Sequence, residues 1–109
     1  MSGSHGVALR IAPDHPALPG HFPGHPLVPG VVVLERVAAA WKAWRGTAVA
    51  GLDAKFVQSL LPGEAATIML HDADGRARFE VTRGDGRVLA RGTLVPAGLR
   101  DGRGKGEDA

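Results

Sequence analysis

Apolar and polar positions alternate with a period of two over much of the second half of the chain. Residues 76–83 set Ala77, Phe79 and Val81 against Arg78, Glu80 and Thr82, and 65–71 and 87–95 follow the same rule. Successive side chains of a strand point to opposite faces, so each stretch predicts a strand with one buried face. Another strand is expected within 47–59, around Ala54, Lys55, Phe56 and Val57, and a short one at 7–11. Turn residues separate them at 61–64, 72–75 and 84–86. Two hairpins in succession predict an antiparallel meander.

Between the first strand and the rest, the pattern changes twice. Residues 14–29 carry prolines at 16, 19, 23, 26 and 29. Proline lacks the amide donor and clashes with the preceding turn, so no helix runs through this stretch and it reads as a loop of fixed shape. Residues 31–45 then contain neither Gly nor Pro. Their apolar residues surround most of a helical circumference, which predicts a helix of about four turns, buried on nearly all sides. One such helix and an antiparallel sheet give an α+β fold with the sheet wrapped around a central helix. A single sheet covers only part of a helix, so a second copy of the chain is expected to cover the remainder.

The length of 109 residues fits one domain. Its body is expected at 7–97. Residues 1–5 resemble a vector remnant, and the Gly-rich, charged stretch 98–109 has too little apolar content to pack; residues 1–6 and 98–109 are expected to lack fixed structure. The absence of cysteine excludes disulfides and thiolate sites. The formal charge is only +2, and the arginines are interleaved with acids, a solvated-face pattern that argues against nucleic acid as a partner. No apolar run approaches the roughly 18 residues of a membrane span, and no signal peptide is visible, so a cytoplasmic location is expected.

Candidate chemistry gathers between 20 and 35. His21 sits in the rigid Gly/Pro loop, where a histidine is either incidental or a base. His21 and His25 have the spacing of a helical metal pair, but Pro23, Gly24 and Pro26 forbid the helix, so no metal is expected. The helix opens after Pro29-Gly30 without Ser, Thr, Asp or Asn to cap it. Its first amides are either hydrated or left to hold an oxygen that gains negative charge. Glu35 is the single carboxylate of the apolar helix. It either pairs with Arg36 or a similar base, or is an acid that burial keeps protonated. The three functional alternatives combine into an elimination. His21 would remove a proton α to a carbonyl, the amide near Gly30 would hold the carbonyl oxygen, and Glu35 would protonate the leaving β-hydroxyl.

The run from His21 to Glu35, His-Phe-Pro-Gly-His-Pro-Leu-Val-Pro-Gly-Val-Val-Val-Leu-Glu, resembles the signature of the 3-hydroxyacyl-[acyl-carrier-protein] dehydratases, FabZ/FabA-like proteins of hot-dog fold. The likeness continues through residues 51–56 and the Pro62-Gly63-Glu64 turn and covers about 7–96. It implies a homodimer or higher even oligomer with sites at the interface. His21 would be the base and Glu35, from the other subunit, the acid; Gly30, with Val31, would polarise the thioester carbonyl. The implied partner is an acyl carrier protein bearing a 3-hydroxyacyl chain, and no cofactor is implied. Phe22, Val28 and Phe56 are the expected walls of an acyl tunnel. Family members usually carry a helix and strand before the position of Val7. The shorter form resembles dehydratases of aryl-polyene and polyketide clusters, so the expected setting is fatty-acid or polyene/polyketide biosynthesis. Basic residues usual after the position of Phe56 are replaced by Val57-Gln58-Ser59, which leaves Lys42, Arg45 and Lys55 to meet an acidic carrier. The alternatives are a hot-dog acyl thioesterase and a non-catalytic hot-dog partner subunit.

Overall fold

The computed structural model describes residues 3–13, 27–73 and 76–98. The elements run β1 (Gly3–Leu9), α1 (Gly30–Arg45), β2 (Val49–Phe56), β3 (Ala66–Ala73), β4 (Arg76–Arg83) and β5 (Val88–Pro96). The five strands form one antiparallel sheet in the order β1-β3-β4-β5-β2. The predicted meander is β3-β4-β5, with β1 added at one edge and β2 at the other. Among the described residues this is the hot-dog arrangement: a sheet with one helix laid across one face.

Alternation along the sequence decides which face meets the helix. Ile68, Leu70, Ala77, Phe79 and Val81 are buried beside Val32, Val33, Val37, Ala40 and Trp41 of α1. Thr67, Arg78 and Arg91 lie on the opposite, solvated face. Among the described residues the core contains no polar or charged side chain. Burying one Phe or Leu contributes about 1.5–3 kcal/mol. A surface ion pair such as Arg87–Asp85, at 3.6 Å with both side chains largely exposed, contributes under about 1 kcal/mol. Apolar packing therefore holds this fold.

The helix ends at Gly46, whose φ of 81° places it in the left-handed region and whose amide donates to the Lys42 carbonyl at 2.8 Å. Lys42 and Arg45 occupy the last turn, at the negative end of the helix dipole.

Two expectations are corrected here. The first strand begins at Gly3 and ends at Leu9, so residues 3–6 are part of the sheet. Their anchors are side chains distant in sequence. His5 stacks on Trp44 with ring centroids 5.4 Å apart, Ser4 Oγ lies 3.0 Å from His71 Nδ1, and Arg45, over the same Trp44 ring, pairs with Asp72 at 2.8 Å. The helix is also not enclosed on all sides. Val31, Glu35, Arg36, Ala39, Lys42 and Ala43 face outward, because one five-stranded sheet reaches only one side of it.

Candidate active site

Proline at position 29 fixes an extended approach to the helix, with φ −60° and ψ 142°, and supplies no capping side chain. Its carbonyl accepts from the Val32 amide at 3.0 Å and the Val33 amide at 3.5 Å. The amides ahead of them, on Gly30 and Val31, have no acceptor among the described residues. They stand at the positive end of the helix dipole, where an oxygen gaining negative charge is stabilised.

A cleft of about 310 Å³ opens beside this helix start. Val28, Gly30 and Val33 form one side. Phe56 and residues 57–60 of the strap that follows β2, residues 57–61, form another, and Val81, Leu89 and Ala90 form the floor. Its apolar lining and size suit a small organic ligand. The far end of the Phe56 ring approaches Gly30 closely: a Cβ at position 30 would stand 2.9 Å from Phe56 Cζ. With no Cβ, glycine leaves room for that close approach, and a larger residue would push the ring aside. The strap is pinned from both sides, since the Val57 and Gln58 amides donate to the Leu89 carbonyl at 2.7 and 3.1 Å, and the Leu60 carbonyl accepts from the Val28 amide at 2.9 Å.

The structure thus brings together three of the residues singled out in the sequence: Gly30, Val28 and Phe56. Val31 adjoins the cleft but turns outward, 63% exposed. Glu35 is one turn further along the same exposed face and lies outside this cleft; within a single chain it is not surrounded by apolar groups. His21, Phe22 and His25 lie outside the described residues. Among the described residues no cluster of potential ligands could hold a metal ion, and no helix is long and apolar enough to cross a membrane. Of the cations offered for a carrier protein, Lys42 and Lys55 are exposed, whereas Arg45 is engaged with Trp44 and Asp72.

Sequence reasoning missed the floor. Leu89 and Ala90 are adjacent yet both buried, which breaks strand alternation. The cause is a register shift between β4 and β5, where Val81 pairs with Ala90 and Thr82 with Val88, so that Leu89 is the extra residue of a bulge. Only the consecutive apolar pair hinted at it.

A family model described as ApeI-like, ApeI dehydratase, matches residues 2–93. The chain belongs to the ApeI-like dehydratase family. Membership makes it an enzyme of the dehydratase class, and the relatives agree. The 3-hydroxyacyl-[acyl-carrier-protein] dehydratase FabZ of Klebsiella pneumoniae subsp. pneumoniae is 30% identical over 108 residues, covering 84% of this chain and 72% of that one. The enzyme of the same name from Desulforamulus reducens is 35% identical over 69 residues, covering 54% of this chain and about half, 49%, of its own length. Among solved structures, the dehydratase heterocomplex ApeI:P from Xenorhabdus doucetiae superposes with a TM-score of 0.74 at 21% identity, covering 85% of this chain and 86% of that one, and shares the fold.

Proposed function

We propose that this dehydratase removes water from a 3-hydroxyacyl thioester carried on acyl carrier protein, leaving the trans-2-enoyl thioester. The His21 imidazole takes the proton from C2. The amides of Gly30 and Val31 hold the thioester oxygen as charge builds on it. Glu35 gives its proton to the hydroxyl leaving C3, so one water departs and the electron pair of the C2–H bond becomes the double bond. The reading is carried by the apolar cleft that ends at an uncapped helix start. Its acyl chain would lie against Val28, Phe56 and Phe22.

Glu35 faces away from its own chain's cleft and shares an outward face with the apolar Val31. That supports a homodimer in which each subunit lends its carboxylate to the other's site and burial comes from the partner. Phe56 and Val57, 45% and 51% exposed, extend the apolar surface a second copy would cover. We place the reaction in the cytoplasm, in fatty-acid or polyene/polyketide biosynthesis.

Incubation with a 3-hydroxyacyl carrier protein tests this directly. Intact-mass analysis should show the acyl carrier lose one water and keep its thioester. Release of free acid would point to a thioesterase, and activity that arises only on adding another hot-dog subunit would point to a partner subunit; either result overturns the proposal.

Gly30→Ala probes the helix start. The new methyl meets only the far end of the Phe56 side chain, which is half-exposed and free to rotate, so the protein should fold normally. The displaced ring then crowds the oxygen-binding amides, and kcat/KM should fall about tenfold. Adding Phe56→Leu to Gly30→Ala should restore part of that loss. No recovery would mean that the ring is not the obstacle.

A further inference from the structure

We propose that Arg83 and Glu64 are a positioning pair that sets the cleft wall, and thereby the fit of the substrate. What occupies the cleft rests on the dehydratase reading; how the wall is held does not.

The strap at 57–61 belongs to no helix or strand, and among its residues only Leu60 is buried, at 3%. Such a segment has little packing of its own and opens easily unless it is tied down. Two of its ties are the backbone bonds to Leu89 and Val28 already described. A third is the Glu64 amide donating to the Leu61 carbonyl at 3.1 Å, and two more come from side chains that meet each other. Arg83, the last residue of β4, donates from Nη2 to the Ser59 carbonyl at 3.0 Å. Glu64, just past the turn, accepts from the Leu61 amide through Oε1 at 3.1 Å. Arg83 Nε and Glu64 Oε2 lie 3.0 Å apart, within ion-pair range, and each side chain is only about a quarter exposed, at 24% and 25%. The guanidinium thus spans the strap and the turn at once, hydrogen-bonding Ser59 through Nη2 while its Nε side faces the Glu64 carboxylate as an ion pair, a reach that a compact ammonium lacks.

The arrangement reaches the helix start. Ser59 is followed by Leu60, whose carbonyl takes the Val28 amide, and Val28 is two residues before Gly30. Releasing Ser59 loosens Leu60, then Val28, and with it the approach to the uncapped amides. Because Ser59 is exposed, water replaces the lost bond, and the change falls on order in the wall rather than on global stability.

Arg83→Met, Arg83→Lys and wild-type protein are compared by steady-state kinetics on the 3-hydroxyacyl carrier protein and by amide hydrogen exchange. Arg83→Met should raise KM about tenfold with kcat within about twofold, and speed exchange of the Val28 amide about tenfold, while the melting temperature stays near wild type. Arg83→Lys should resemble Arg83→Met, because an ammonium cannot bridge both partners. Full rescue by lysine would assign the effect to charge and overturn the proposal, as would an unchanged Val28 amide or a loss confined to kcat. Should the wild-type protein turn over no 3-hydroxyacyl thioester, the dehydratase reading falls and the Val28 exchange rate alone decides whether the pair holds the wall.

Discussion

His21→Ala and Glu35→Gln should each lower turnover of a carrier-bound 3-hydroxyacyl chain about a thousandfold, within the range for loss of one general acid or base. An equimolar mixture of the two inactive proteins should nevertheless work. If each site joins the imidazole of one chain to the carboxylate of the other, a mixed dimer has one site lacking both groups and one intact site. Random exchange makes about half the dimers mixed, so about a quarter of the wild-type sites return. The complementation separates catalysis from folding. Glu35 is exposed and makes no hydrogen bond or ion pair among the described residues, so Glu35→Gln should melt like the wild type. A mixture that stays inactive after subunit exchange would place both groups in one chain's site, and a Glu35→Gln protein with full turnover would remove the carboxylate from the mechanism.

The elements that alternate or repeat cleanly were legible in the sequence. Strand β4 lies over 76–83 as its alternation predicts, and the helix starts at Gly30, one residue before the expected position. What escaped has no local signal. Gly3, Ser4, His5 and Gly6 hold no apolar run, and they join the sheet because they pair with residues 69–72, more than sixty positions away, and dock on Trp44, about forty away. The exposed side of the helix mixes Glu35, Arg36 and Lys42 with Val31, Ala39 and Ala43, and small alanines mark neither face, so the pattern overstated how much of the helix is enclosed. Within the cleft, Gly30 was legible because Pro29-Gly30 marks the helix start, whereas Val28 and Phe56 came from the family resemblance alone. The bulge that turns both Leu89 and Ala90 inward breaks the period on which the reading relied.

Gly92→Ala should be the most destabilising small substitution in the sheet. Gly92 lies in β5 between Phe79 of β4 and Ala54 of β2. A Cβ there would run into the Asp53 carbonyl and stand 2.9 Å from Ala54 Cα. Both obstacles are backbone, so no rotamer change relieves them, and β2 must move off β5. The overlap and the lost pairing should cost about 3 kcal/mol, which lowers Tm by roughly 12–24 °C in a domain of this size. Gly51→Ala is the control, since its Cβ would meet only the Val95 side chain, at an ordinary 3.7 Å or more, and its Tm should shift by a few degrees at most. If the two variants melt together, the close approach of β2 to β5 is not a feature of the folded protein. The site would feel the change as well. Strand β2 is an edge strand that carries Phe56 at its end and leads into the strap, so the substitution that loosens it should also open the cleft. Turnover in Gly92→Ala should therefore be lost at temperatures well below its melting point.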